Sequence, residues 1–425
     1  MKVCFAALTY PVTGDVSGVA IHVQAVGRYL VRRGHKVTVL VKEPPRGLPQ
    51  YDDHGVKLIG VHIGKLHWYL SRLPVLRVLA EVVREMEYSW AIWQSFRGAH
   101  FSESFDLVQC TESGGLFLQL LKRWHGCPIV VRLHGEKGTI YRHRPEQRVG
   151  LGLRMQRLLQ LVAIRRADRL TSPSSFHARN VQAEVGRELP IAVLPNFVAA
   201  ENLVEVAGIA EWPPELAELR SRPIVLYAGR IERGKGVEPL LRAVPLVARQ
   251  CPEVCFVFVG ASHPNYPPAE LKELIGQLRV ENSVRFIDAL PRRRLWAFYR
   301  AATVVAMPSY YETFGNTYIE AMAMSKPVVG FAGTSLEEIL GDSPCGVVTA
   351  KGKIEELARQ IGALLAEPEK AHAMGKLAHD RVLSAFVDHD VLPRVEALYE
   401  EVTGLYGVGE GQWQIAGATA RHGTH

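Results

Sequence analysis

Short apolar runs recur along the first half of the chain, each followed by a polar or helix-prone stretch. "KVCFAAL" (2–8), "HKVTVLV" (35–41), "VKLIGVHI" (56–63), "FDLVQC" (105–110), "PIVVRLHG" (128–135), "DRLTSPS" (168–174) and "PIAVLPNF" (190–197) read as strands. Between the first two lies "GVAIHVQAVGRYLVRRG", with Val19, Val23, Val26 and Leu30 at helical spacing and Gly34 as its stop. The rhythm pauses near 196–222, where polar residues and Pro-Pro predict a connecting loop. It then restarts with "PIVLYAGRI", "VCFVFVGA", "VRFID", "TVVAMPS", "KPVVGFA" and "CGVVTA", separated by helical stretches such as "GVEPLLRAVPLVARQ" and "PAELKELIGQLRV". Strand–helix alternation of this kind predicts parallel doubly wound sheets, here two α/β domains in tandem.

With 425 residues, more than one domain is expected. A 48% hydrophobic content can fill large cores, yet no apolar run reaches the roughly 18 residues a spanning helix needs. "MKVCFAAL" followed by Pro, Gly and Asp reads as a first strand and its loop, not as a signal peptide. Six scattered cysteines without a CxxC pair fit a reduced cytoplasmic protein lacking disulfides and structural zinc. The net charge of +7 permits an anionic ligand or surface without demanding one.

Four segments carry candidate chemistry. In "YETFGNTYIEAMAMSKPVV", Glu312 precedes a helix start and Glu320 follows about one turn inside, with Asn316 or Thr317 as the expected N-cap. A helix start suits phosphate, and a carboxylate suits a pair of sugar hydroxyls. The spacing fits a ligand with two polyol ends and a diphosphate between them, although two solvated charges would leave the same trace. "LYAGRIERGKG" places Arg230 and Lys235 in a glycine-rich loop between a strand and a helix. There one cation can grip a diphosphate bidentately and the other can act as a point charge. A basic turn alone says little; beside the two glutamates it says much more. "YPVTGDVSGVAIHV" flanks its first loop with Gly14 and Gly18 but is not GxGxxG, so a nicotinamide cofactor has poor support. His134 in "VVRLHGEKG" follows a strand, on the side where such sheets bind ligands.

Taken in order, "GDVSGVAIHV", "GHKVTVL", "RLHGE", "RADRLTSPSSF", "VLPNF", "LYAGRIERGKG", "MPSYYETFGNTYIEAMAMSKPVV" and "GTSLEEIL" resemble a GT-B-fold, family 4 retaining glycosyltransferase over residues 1 to about 405. The resemblance implies an acceptor-side Rossmann-like domain at 1–197 and a nucleotide-sugar-binding domain at 198–385. A final helix at about 386–405 would cross back to the first domain, and a tail at 407–425 would be disordered. It implies that Arg230 and Lys235 hold the donor diphosphate, that Glu312 contacts the transferred sugar and that Glu320 takes the ribose. Phe314, Gly315 and Asn316 would offer backbone N–H groups, with Thr317 beside them. His134 would sit by the sugar and Gly18 near phosphate and acceptor. The implied reaction moves a hexose from a UDP-sugar or GDP-mannose to a glycan, glycolipid or small-molecule hydroxyl, without metal or cofactor. A catalytically degenerate sugar-nucleotide binder and another GT-B enzyme such as an epimerase are the competing readings. This chain departs from the family pattern at Ser17 and Ser325, where glycine is common, at Thr313, where proline or glycine is frequent, and at Asp288.

Residues 137–166 hold eight Lys or Arg and one carboxylate, Glu146. Arg142, Arg144, Arg148, Arg154 and Arg157 could meet anionic lipid or a phosphorylated acceptor, or form a solvated face. Upstream, "LHWYLSRLPVLRVLAEVVREMEYSWAIWQSFRG" mixes tryptophan, arginine and aliphatics and is expected to be core. A cytoplasmic protein, touching at most the inner membrane face, is expected. Nucleic acid is not, because the basic cluster has no recognisable module around it.

Overall fold

The computed structural model describes residues 1–11, 17–42, 51–73, 76–135, 150–207, 212–263 and 266–407. Gly14, Arg142, Arg144, Arg148 and the tail beyond 407 lie outside the described residues.

The first domain is built on strands β1 (Lys2–Leu8), β2 (Lys36–Lys42), β3 (Tyr51–Asp53), β4 (Val56–Val61), β5 (Leu107–Thr111), β6 (Ile129–Arg132), β7 (Arg169–Ser172) and β8 (Ile191–Val193). They form one sheet in the order β3-β4-β2-β1-β5-β6-β7-β8. Every pairing is parallel except β3 with β4. β3 carries two aspartates in three residues, so no apolar run announces it. The central strands are largely apolar because both faces are covered: Val3, Cys4 and Phe5 of β1 are at most 1% exposed, and Thr38, Gln109 and Arg132 are the buried polar exceptions on β2, β5 and β6. Each such apolar side chain contributes about 1.5–3 kcal/mol of burial.

The second domain uses β9 (Ile224–Ala228), β10 (Cys255–Val259), β11 (Val284–Ile287), β12 (Val304–Ala306), β13 (Val328–Phe331) and β14 (Gly346–Thr349). Its order is β11-β10-β9-β12-β13-β14, all parallel. In both sheets the order reverses beside the first strand of the domain, which opens a crevice at the carboxyl ends. The stretch expected to be a plain loop contains a helix, Ala200–Ala207, and a 3-10 turn, Pro214–Leu219. Leu216 and Leu219 from that turn are buried in the second core, so tertiary burial overrides the Pro-Pro signal.

The final helix, Asp388–Gly407, packs on the first domain. Val391, Leu392, Val395 and Tyr399 join the core around β1 and β2. Glu396 is bound there by Tyr29 at 2.8 Å, Arg33 at 3.2 Å and His35 at 2.8 Å. The domains also touch directly. Glu338 accepts from the backbone N–H of Ser175 at 2.9 Å and of Phe176 at 3.1 Å, capping helix Ser175–Val185 from the opposite domain.

Candidate active site

The cleft between the two sheets gathers the candidate residues into two neighbouring pockets. One is lined by His134, Arg230, Glu232, Gly234, Lys235, Tyr310, Tyr311, Glu312 and Thr313. The other is lined by Gly18, Ile21, His22, Asn196, Phe197, Arg292, Asn316, Ile319 and Glu320. The loop from Glu312 to Asn316 runs between them.

In the first pocket the basic loop meets the acidic one. Lys235 Nζ donates to Glu312 Oε1 at 2.7 Å, and Ser309 Oγ lies 3.1 Å from the same oxygen. Gly236 makes this approach possible. Its φ is +80°, and a Cβ there would stand 2.0 Å from the Pro308 carbonyl oxygen. Arg230 leaves β9 through a turn held by Tyr227, whose hydroxyl donates to the Arg230 carbonyl at 2.8 Å. The Arg230 side chain is 61% exposed and faces the pocket, 3.3 Å from buried Glu232.

On the opposite wall, His134 follows β6. Its backbone N–H and that of Gly135 donate to Glu112, at 3.1 and 2.9 Å. Burial, with the nearby Arg132 and His177, drives the His134 imidazole well below its ordinary value, so it is neutral at pH 7. His22, 6.3 Å from His134 ring to ring, is held neutral for the same reasons: burial first, then Arg132 and His134.

The helix between the pockets is Asn316–Ala323, and its N-cap is Gly315, not Asn316 or Thr317. Gly315 adopts φ +91°, ψ 63°, which lets the chain turn into the helix at once. Asn316 is thereby freed to reach across the cleft, where its Oδ1 accepts from Asn196 Nδ2 at 2.8 Å. Among the described residues nothing accepts from the backbone N–H of Phe314, Gly315, Asn316 or Thr317. The Phe314 side chain is buried against Phe386, so only its backbone can serve a ligand. Glu320 lies in the second pocket, 3.2 Å from Arg292 and 3.1 Å from the Tyr299 hydroxyl.

Gly18 opens helix Gly18–Arg32 directly beneath Asn316, and a Cβ on it would stand 2.6 Å from Asn316 Nδ2. Ser17, where the family favours glycine, has φ −63° and caps this helix by accepting from Ala20 N–H, so no glycine is needed there. Ser325 is different: its φ of +56° is the conformation that glycine takes without cost.

Sequence reasoning missed Glu112, Asn196, Arg292 and Tyr299. Arg292 sits in the run Arg292-Arg293-Arg294, and nothing local singles it out. Asn196 is in the quoted "VLPNF" but carries no chemical signature of its own.

Two Rossmann-like parallel-sheet domains that face each other over a basic loop and a glutamate-flanked helix start define a GT-B glycosyltransferase. Residues 16–202 match the family model "Glycosyltransferase Family 4" and residues 209–381 match "Glycosyl transferases group 1". The chain belongs to this group 1, family 4 class of glycosyltransferases. It is similar to a D-inositol 3-phosphate glycosyltransferase of Kribbella flavida, 33% identical over 394 residues, 87% of this chain and 88% of that one. A protein of the same name from Segniliparus rotundus is 30% identical over 377 residues, 86% of this chain and 80% of that one. Among solved structures, a sucrose-phosphate synthase from Thermosynechococcus elongatus superposes with TM-score 0.77 at 21% identity, covering 95% of this chain and 100% of that one. HepE of Anabaena, solved with UDP, gives TM-score 0.68 at 20% identity, covering 94% of this chain and 100% of that one. No helix among the described residues is long and apolar enough to cross a membrane.

Proposed function

We propose that the chain moves a hexose-type sugar from a nucleoside-diphosphate donor to an acceptor hydroxyl, with retention of anomeric configuration and without a metal. The observation that carries the reading is the Lys235–Glu312 contact at 2.7 Å beside a helix start with free N–H groups. In this reading Arg230, Lys235 and that helix start receive the diphosphate as its negative charge grows on leaving. Glu312, oriented by Lys235 and Ser309, accepts from the sugar hydroxyls. Glu320, held by Arg292 and Tyr299, accepts from the ribose. His134, being neutral, can offer one ring nitrogen as donor or acceptor to the sugar without opposing the positive centre that forms there. The departing phosphate takes the acceptor's proton. A phosphorylated polyol of the kind named for the Kribbella and Segniliparus relatives is the first acceptor to try, ahead of glycans and glycolipids.

The test is transfer or hydrolysis of UDP-, GDP- and ADP-sugars with a chelator present, in wild type and Lys235→Ala. Turnover of one donor, lost by two or more orders of magnitude in the variant, is expected. Near-normal turnover in Lys235→Ala would remove Lys235 from the chemistry. A product of inverted configuration would remove the retaining mechanism.

A further inference from the structure

Residues Tyr310 to Phe314 of the second domain carry Glu312 into the first pocket. Their anchors alternate between the two domains. Tyr310 N–H donates to the Gly234 carbonyl at 3.1 Å, Glu312 meets Lys235 and Ser309, and the Phe314 carbonyl accepts from Ser335 Oγ at 2.6 Å. Those anchors all belong to the second domain. The two residues in between are held from the first domain. The Tyr311 hydroxyl lies 2.7 Å from His177 Nδ1, and the Thr313 carbonyl accepts from Ser174 Oγ.

Both first-domain anchors sit at the start of helix Ser175–Val185, and their own placement is fixed. Ser174 is the N-cap: its Oγ accepts from His177 N–H at 3.0 Å while its proton goes to Thr313. Ser172 Oγ donates to the Ser174 carbonyl at 2.8 Å. Glu338 takes the next two N–H groups, and the Phe176 ring packs 5.7 Å from that of Tyr311. Ser174 and His177 are fully buried, and Tyr311 nearly so. In such a place a lost hydroxyl leaves its partner unpaired or forces it to move. Neither Ser174 nor His177 lines either pocket. What they hold is the residue on each side of Glu312.

We propose, resting on the reading of Glu312 as the partner of the transferred sugar, that Ser174 and His177 are positioning residues for the transfer step. Through Thr313 and Tyr311 the first domain sets the angle at which the second presents the Glu312 carboxylate. Nucleotide binding does not depend on these contacts, because Arg230, Lys235, Arg292 and Glu320 are all paired within the second domain.

The experiment is steady-state kinetics of the full chain with the donor that wild type turns over, beside titration of each enzyme with the matching nucleoside diphosphate. Ser174→Ala removes the hydroxyl that holds Thr313. Tyr311→Phe removes the one beside His177 and keeps the ring against Phe176. A fall in kcat of about 10- to 100-fold is expected in each. The Kd for the nucleoside diphosphate should stay at its wild-type value. If Ser174→Ala loses too much stability with its cap to be assayed, Tyr311→Phe carries the test alone. Wild-type kcat in the variants would overturn the proposal. So would a nucleotide Kd that weakens as much as kcat falls, because the contacts would then only hold the domains together. A wild type that turns over no nucleotide-sugar would instead remove the reading of Glu312, and this role for Ser174 and His177 with it.

Discussion

Asn196 of the first domain donates its side-chain amide to Asn316 of the second at 2.8 Å, and Asn196 is in turn held by Arg132, whose guanidinium donates to it at 2.8 Å. A buried cation in one domain thus sets the position of the residue that opens the donor-side helix in the other. Gly18 forms the floor of this bridge. Gly18→Ala would push its Cβ into the Asn316 amide, and the shift should propagate to the helix start. A fall in kcat/KM of about 10- to 100-fold is expected, with little change in melting temperature. Steady-state kinetics beside a thermal melt would check it; unchanged kinetics would mean that Asn316 yields freely.

Glu320 is held by Arg292 and Tyr299 in the second pocket. If it takes the ribose, Glu320→Ala should abolish the stabilisation that a matching nucleotide confers. At about 100 times its Kd that stabilisation is about 2.7 kcal/mol in wild type. Thermal shift with UDP, GDP and ADP reads both the base preference and the role of Glu320. Equal shifts in wild type and variant would place the ribose elsewhere.

Glu112 positions His134 through two backbone N–H groups. In Glu112→Gln a single amide oxygen must serve both, and the amide group turns a donor toward donors. A stability loss of about 1–3 kcal/mol is expected. A merely structural role would leave kcat untouched once the variant is folded, whereas a positioning role lowers kcat for all acceptors alike.

Burial depresses His177 to about 3, and it holds His22 and His134 well below their ordinary value. In the unfolded chain each titrates near 6.5. Between those limits the unfolded state binds more protons, so stability is complete above pH 6.5 and falls as pH drops toward 3. Each histidine adds up to about 1.4 kcal/mol per pH unit within its window. Urea midpoints measured from pH 7 to pH 5 should decline, and His177→Gln should flatten the slope. His177 Nδ1 lies 2.7 Å from the Tyr311 hydroxyl, so the acid-labile contact is one that joins the two domains beside Glu312.

Ser325 holds a left-handed backbone at φ +56°. Ser325→Gly removes strain of about 1–2 kcal/mol and returns part of it as unfolded-chain entropy. A net gain of about 0.5–1 kcal/mol, read as a higher urea midpoint, is expected; a loss would show that the serine side chain contributes more than its backbone costs.

The alternation of apolar runs with helical stretches was enough to locate thirteen of the fourteen strands, because a strand covered on both faces is rich in apolar residues, as in β1, β9 and β10. β3 was illegible because it is a three-residue edge strand with two aspartates, whereas the edge strands β8 and β11 keep an apolar run. Glycines mark local geometry, so the Arg230–Lys235 loop and the Phe314–Gly315–Asn316 turn could be read in sequence with the charges they carry. Tertiary structure alone decided which partners those charges meet. Lys235 and Glu312 are 77 positions apart, and Asn196 and Asn316 are 120 apart. No local periodicity records such pairs. They exist because two independently patterned sheets close their carboxyl ends on each other. Packing inside the first domain, where Ile92, Trp93 and Phe96 join the core on one face of its sheet, decides which parts of the 66–98 segment are covered, so its mixed Trp, Arg and aliphatic content could be read as core or surface until the fold was in place.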